Sequence, residues 1–121
     1  MSLRVQLVSV PVTDQDRALA FYRDKLDCTL VEDTPFGDKQ RWIQLHPPGG
    51  GADLVLFTPP CHEDRVGTLA PMAFTSDDVQ ASYKMLLKRG VEFTEPPSEQ
   101  PDGGLQALFK DPDGNLFVLH S

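Results

Sequence analysis

Positive charge is scarce in this chain of 121 residues: 11 Lys and Arg stand against 18 Asp and Glu, a formal net charge of -7. A protein that follows a phosphate backbone needs a basic face to displace condensed counterions, and the basic residues here are scattered, so nucleic acid is excluded as a partner. Long apolar runs are missing too, none approaching the roughly 18 residues of a membrane span. The first residues do not show the basic, apolar and small-residue order of a signal peptide, so a cytoplasmic protein with no membrane partner is expected. Cysteine is limited to Cys28 and Cys61, without C-x-x-C or metal-ligand spacing, which reads as two reduced thiols. Cys28 follows Asp27 and no cation, a poor setting for a nucleophile. No Ser sits in a G-x-S-x-G elbow. Gly49-Gly50-Gly51 follows Pro47-Pro48 between strands and opens no helix, so it is no phosphate cradle.

What remains is a length suited to one domain and a hydrophobic fraction of 40%, enough for a core. Val5 to Val12 reads as a strand. Thr13, Asp14 and Asp16 supply capping oxygens and first-turn charge for a helix whose Ala18, Phe21, Tyr22 and Leu26 share a side, ending near Leu26. Cys28 to Glu32 gives a second strand, Pro35 to Asp38 a turn, and Gln40 to His46 and Ala52 to Phe57 two alternating strands. Thr58 to Leu69, with paired prolines, polar residues and Gly67, reads as a loop linking two halves. Pro71 to Thr75 is again a strand. Ser76, Asp77 and Asp78 open a helix with an apolar stripe of Val79, Tyr83, Leu86 and Leu87, and Gly90 caps it. Val91 to Thr94 is a strand, Glu95 to Gly103 a Pro-rich loop, and Gly104 to Lys110 leads into a final hairpin through Asp111-Pro112-Asp113-Gly114-Asn115.

The order is βαβββ twice. An offset of 63 (77 minus 14) places Asp14 on Asp77, Ala18 on Ala81 and Leu30 on Phe93. Alternation divides each half into two faces. One carries Val8, Val10, Ile43, Leu45, Leu54, Leu56, Met72, Phe74, Ala107, Phe109, Phe117 and Leu119. The other carries Leu7, Ser9, Trp42, Gln44, His46, Asp53, Val55, Phe57, Thr75, Gln106, Leu108, Lys110, Val118 and His120.

The run Val10-Pro-Val-Thr-Asp-Gln-Asp-Arg-Ala-Leu-Ala-Phe-Tyr22, the segment Arg89-Gly-Val91 and the Asp-Pro-Asp-Gly-Asn hairpin together resemble the vicinal oxygen chelate superfamily, which holds glyoxalase I, extradiol dioxygenases and bleomycin-resistance proteins. The resemblance covers essentially the whole chain. It implies an α+β fold of two βαβββ modules, about 1–60 and 69–121, forming a curved mixed sheet with a cup and with helices on the outer face, in a homodimer. It is specific for fold and poorly specific for activity.

The resemblance also implies where a metal would be held, and there the chain departs from its pattern. Metal-using relatives place His, Glu, His or Gln, and Glu on the first and last strands of each half. Those places fall here on Leu7, Pro71 and Val118, with Asp53, or Val55 if the loop shifts the count, at the fourth. One carboxylate is not a site for a divalent ion. His46 and His120 lie on the same face as shifted candidates, and His62 in the loop beside Glu63 reads as solvated. No metal or other cofactor is expected.

Trp42 with Gln44 and His46 stands out, presented on alternate residues of one strand. An aromatic wall with few polar groups suits a small organic ligand; the alternative reading is that Trp42 fills the cup or a dimer contact. Phe57, Gln106, Lys110 and His120 complete the candidate ligand-binding set. Asp53 is the candidate acid or base, with a pKa expected to rise in a half-apolar setting. The expected function is metal-independent ligand binding like that of the bleomycin-resistance branch. A lyase, isomerase or dioxygenase-type enzyme and a non-catalytic subunit are the alternatives.

Overall fold

The computed structural model describes residues 2–37, 40–58 and 72–121. The expected linker 58–69, Cys61, His62 and the ligand position at Pro71 lie outside the described residues, except for Thr58. The chain divides into two compact units, Met1–Val66 and Gly67–Ser121. The first contains β1 (Leu7–Pro11), α1 (Gln15–Ala20) continued by a π-helical turn (Phe21–Lys25), β2 (Thr29–Pro35), β3 (Arg41–His46) and β4 (Asp53–Phe57). The second contains β5 (Met72–Thr75), α2 (Val79–Lys88), β6 (Glu92–Glu99), β7 (Leu105–Lys110) and β8 (Leu116–His120). Strand orders are β1-β4-β3-β2 and β5-β8-β7-β6, and in each sheet only the first pair is parallel. This is the α+β arrangement of two βαβββ modules that the sequence predicts.

In the first unit the registers Val8↔Leu54, Val10↔Leu56, Ile43↔Leu56 and Leu45↔Leu54 stack the expected apolar residues on one face. Val10, Ile43, Leu45, Leu54 and Leu56 are fully buried there, and Ala18, Leu19, Phe21 and Tyr22 of the helical segment are also buried. Asp14 caps α1, accepting from the Arg17 N–H at 3.1 Å. Gln15 then fastens the helix to the sheet: its amide nitrogen donates to the Arg41 and Leu56 carbonyls at 2.7 and 3.0 Å, and its oxygen accepts from the Arg41 N–H at 3.1 Å. The Arg41 side chain reaches Asp16 on α1 and both oxygens of Asp33 on β2. After Ala20 the helix widens, and Leu26 donates to Phe21 five residues back. That extra residue per turn lets Phe21 and Tyr22, adjacent in sequence, both turn inward with rings 5.1 Å apart. The turn ends before Asp27, whose φ of +61° lies where Asp is better tolerated than most residues. Cys28 is buried, and burial with the neighbouring Asp27 charge pushes its thiol up to about 11, an inert setting.

The second unit builds its core from aromatic rings. Phe109 and Phe117 lie 5.4 Å apart, Phe74 and Phe93 flank them, and Tyr83 of α2 meets Phe93 edge-on at 4.7 Å. Gly90 takes a φ of +86° after α2, as expected of a cap.

Several boundaries differ from expectation. The second cap is Asp78, which accepts from the Ala81 N–H, so the helix starts are 64 apart (78 minus 14) and Ala18 matches Ser82. Leu30 and Phe93 do correspond, each pairing with a buried residue of the next strand, Leu45 and Phe109. Strand β2 runs on to Pro35 past a bulge between Leu30 and Glu32, exposed along its length, so hydrophobic alternation could not mark its end. Strand β6 likewise absorbs Glu95–Glu99 of the expected loop. As the outer strand of its sheet it needs hydrogen bonds on one side only, which tolerates Pro96 and Pro97 within the register irregularity between Glu95 and Ser98. Val8, Met72 and Phe74, on the outer strands β1 and β5, are half-buried, and Leu87 of the α2 stripe is exposed.

The hairpin between β7 and β8 turns as its sequence predicts, with Gly114 at φ +86° and its N–H donating to the Asp111 carbonyl. The Asp111 carboxylate sits inside it, accepting from the backbone N–H groups of Asp113 and Asn115 at 2.9 Å each and from the Asn115 side-chain amide at 2.8 Å. Asp111 and Asn115 are both buried. Replacing Asp111 with Ala leaves three donors without this acceptor and should lower unfolding free energy by about 3 kcal/mol, read from urea denaturation. A loss below about 0.5 kcal/mol, the ordinary surface range, would show that the carboxylate does not hold the turn.

Candidate functional site

The face of the first sheet opposite α1 is fixed by the same registers one residue out of phase. Gln44 stands beside Val55, Ser9 beside Val55, Leu7 beside Asp53, and Thr34 and Glu32 beside Trp42 and Gln44. Continuing the β3–β4 register one step each way from Ile43↔Leu56 and Leu45↔Leu54 sets Trp42 next to Phe57 and His46 next to Asp53. Trp42, Gln44, His46, Asp53 and Phe57 therefore share one surface, as their alternation predicts.

Four of these side chains form a continuous hydrogen-bonded relay. The Trp42 indole Nε1 donates to Gln44 Oε1 at 3.0 Å, Gln44 Nε2 donates to Asp53 Oδ2 at 2.7 Å, and His46 Nδ1 lies 2.6 Å from Asp53 Oδ1. Asp53 is 18% exposed and His46 48%, so the carboxylate is sheltered and the imidazole open to solvent. The Phe36 ring lies 5.8 Å from that of Trp42. Phe36 was absent from the expected set because it sits in a turn, yet Thr34 pairs with Trp42, and a period of two from Thr34 carries Phe36 to the same side. Gln40, ahead of Trp42 on the same alternation, accepts from the Thr58 N–H at 2.8 Å and so ties the ends of β3 and β4 together.

Asp53 does not behave as expected. The hydrogen bond from His46, then that from Gln44, favours the ionised carboxylate and holds it below the usual range, against the opposite push of partial burial. The shift is opposite to the one expected of a general acid, and both oxygens of Asp53 are already engaged.

The remaining candidates belong to the second unit. Gln106 pairs with His120 and Leu108 with Val118, while Lys110 pairs with Leu116 at the hairpin end. His120 Nδ1 lies 2.9 Å from the Ser121 carbonyl. No hydrogen bond links Gln106, Lys110 and His120 into a relay among the described residues.

The donor set does not fit the divalent ion that the resemblance implies. Val55, flanked by Ser9 and Gln44, occupies in the first sheet the place that Val118, flanked by Ala73 and Leu108, occupies in the second. The fourth position is thus Val55, 2% exposed, and Asp53 falls outside the pattern. Leu7, Val55 and Val118 have no lone pair to offer. Among the described residues no three His, Cys, Asp or Glu side chains gather as a metal site would require. No helix of the described residues is long and apolar enough to cross a membrane.

Comparison with known proteins agrees with this architecture. The family model described as Glyoxalase/Bleomycin resistance protein/Dioxygenase superfamily matches residues 4–119. A protein of Shewanella frigidimarina (strain NCIMB 400) is 35% identical, over 93% of this chain and 88% of its own. TnmS3, described as an antibiotic binding protein from Streptomyces sp. CB03234, is 39% identical, with a TM-score of 0.84 over 98% of this chain and 94% of its own. A glyoxalase/bleomycin resistance protein from the same Streptomyces is 38% identical, with a TM-score of 0.80 over 96% and 98%.

The depressed Asp53 pKa has a defined sign. A carboxyl whose folded pKa lies below its unfolded value contributes stability that is complete above the unfolded pKa, about 3.9, and lost as pH falls through the folded value. Carbon NMR of the Asp53 carboxyl should show it titrating below the usual carboxylate range. Gln44→Ala, which removes one donor, should move it upward. An Asp53 midpoint at or above the ordinary value in the wild-type chain would contradict the relay.

Proposed function

We propose, since the chain belongs to the Glyoxalase/Bleomycin resistance protein/Dioxygenase superfamily, that it binds a small organic molecule on the Trp42 face of its first unit, without a metal ion. The observation that carries this reading is the relay from Trp42 through Gln44 and Asp53 to His46. It holds a large aromatic ring in one orientation beside Phe36, on a surface where the other groups, apart from the exposed Glu32, are short, apolar or internally bonded. Ring stacking on a platform that needs no ordering costs little entropy on binding, and a few convergent polar atoms then select the ligand. The likeness to TnmS3, whose description is that of an antibiotic binding protein, supports a small molecule as the occupant.

Acid–base chemistry at a raised-pKa Asp53 is not part of this reading. A homodimer is: each sheet presents two outer strands, and Leu30, Val31, Phe36, Met85 and Leu87 are exposed apolar side chains that association would cover.

Trp42 is the sole tryptophan, so its emission reports on this face alone. Planar aromatic compounds should quench or shift it in a saturable way, and Trp42→Ala should weaken binding by roughly 2 kcal/mol, the size of a central aromatic anchor. A broad screen that moves neither the emission nor the melting temperature would sink the proposal. Freshly purified protein, treated with chelator, should sediment as a dimer and melt where the untreated protein melts. A stoichiometric ion whose removal lowers the melting temperature by several degrees would overturn metal independence, because a bound ligand stabilises by mass action.

A further inference from the structure

The relay has a direction, and its direction names the group that meets the ligand. An indole Nε1–H can only donate, so Gln44 Oε1 must accept and the Gln44 amide cannot be flipped. Gln44 Nε2 then donates to Asp53, and an ionised carboxylate accepts at both oxygens. The Asp53 oxygen 2.6 Å from His46 can therefore be served only by a proton on Nδ1. In the neutral ring this leaves Nε2 as a bare acceptor, on an imidazole 48% exposed.

We infer that His46 Nε2 is the ligand-facing acceptor of the site, and that the ligand is a planar aromatic molecule carrying a hydroxyl that donates to it while the ring lies against Trp42. This rests on the binding reading given above and narrows it. Asp53 takes no part in ligand contact, and acts as a positioning residue that fixes the His46 tautomer and, through Gln44, the indole. Glu32, paired with Gln44 from β2, and Asp53 are the acidic residues that the registers place on this surface, and an uncharged phenolic donor suits it better than an anion.

The test compares 2-naphthol with 2-methoxynaphthalene by calorimetry at about pH 8, above the ordinary imidazole pKa. The two differ in whether the oxygen can donate. The wild-type chain should prefer the naphthol by about tenfold, a factor in the range of one hydrogen bond. His46→Phe, which has no acceptor, should abolish the preference. Asp53→Asn should also abolish it, because the Asn amide can donate to Nδ1 and drive the ring proton to Nε2. Nitrogen NMR of His46, with no ligand present, should show the Nδ1–H tautomer in the wild-type chain and the Nε2–H tautomer in Asp53→Asn. Equal affinity for the two probes, with both weakened by Trp42→Ala, would overturn the inference and leave the binding reading intact. An Nε2–H tautomer in the wild-type chain would overturn it without any ligand. Failure of both probes to bind would take the two down together.

Discussion

A strand shows its two faces on alternate residues, and in this protein the pairing of β3 with β4 decides what each face can be. Leu45↔Leu54 and Ile43↔Leu56 commit one side to α1, so Gln44, Val55 and their neighbours must go to the other. A slip of β4 by one residue would turn Asp53 beneath the helix and expose Leu54 and Leu56, each buried side chain being worth about 1.5–3 kcal/mol. Gln15 guards that register from the helix side, because its amide bonds the backbone of both Arg41 on β3 and Leu56 on β4. The relay is built on the register: Trp42, Gln44 and His46 are spaced by the pleat, and Asp53 arrives from β4 at the height where two of them can reach it.

The two units share topology and differ in what they do with it. Strand order, the parallel outer pair and the Asp-capped helix recur, so the backbone solution is the same. The contents diverge. Where the first unit places Trp42, Gln44 and His46, the corresponding register positions of the second hold Gln106, Leu108 and Lys110, and no carboxylate comes from β8, whose residues on that face are Leu116, Val118 and His120. The second unit invests its aromatic residues in its core instead, with Phe74, Phe93, Phe109 and Phe117 in mutual contact.

What the sequence discloses follows from which physical signals are local. The hairpin at Asp111–Asn115 and the cap at Gly90 need particular backbone angles, and their residues announce them. The split of β3 and β4 into two faces is equally legible, because alternation is a property of consecutive residues. Strands β2 and β6 extend beyond what alternation marks because they are outer strands with little burial, so nothing hydrophobic signals where pairing stops. The cap is ambiguous by one residue in the sequence because Asp77 and Asp78 are chemically identical, and only the hydrogen bond from the Ala81 N–H to Asp78 separates them. The Asp53 error is of a different kind. Partial burial does push its pKa upward, but two partners push it down harder, and those partners become visible only when β3 and β4 are laid side by side.

That same pairing explains how an ordered site can exist where the chelating positions carry hydrocarbon. A metal ion organises a site by fixing its ligands' orientations around a charge, and Leu7, Val55 and Val118 offer it nothing. In the first unit a fixed charge of opposite sign performs the organising step. Asp53, ionised and sheltered, orients Gln44 through one oxygen and His46 through the other, and Gln44 passes the constraint to the indole of Trp42. Each of these side chains would otherwise sample several rotamers, and ordering them at the moment of binding would cost about 0.5–1.5 kcal/mol apiece. Settling that cost on folding, out of hydrogen bonds made within the protein, leaves the aromatic surface already ordered. The sheltered carboxylate does here what a bound charge does elsewhere, and its place on β4, two residues before Val55, follows from the register that the helix enforces.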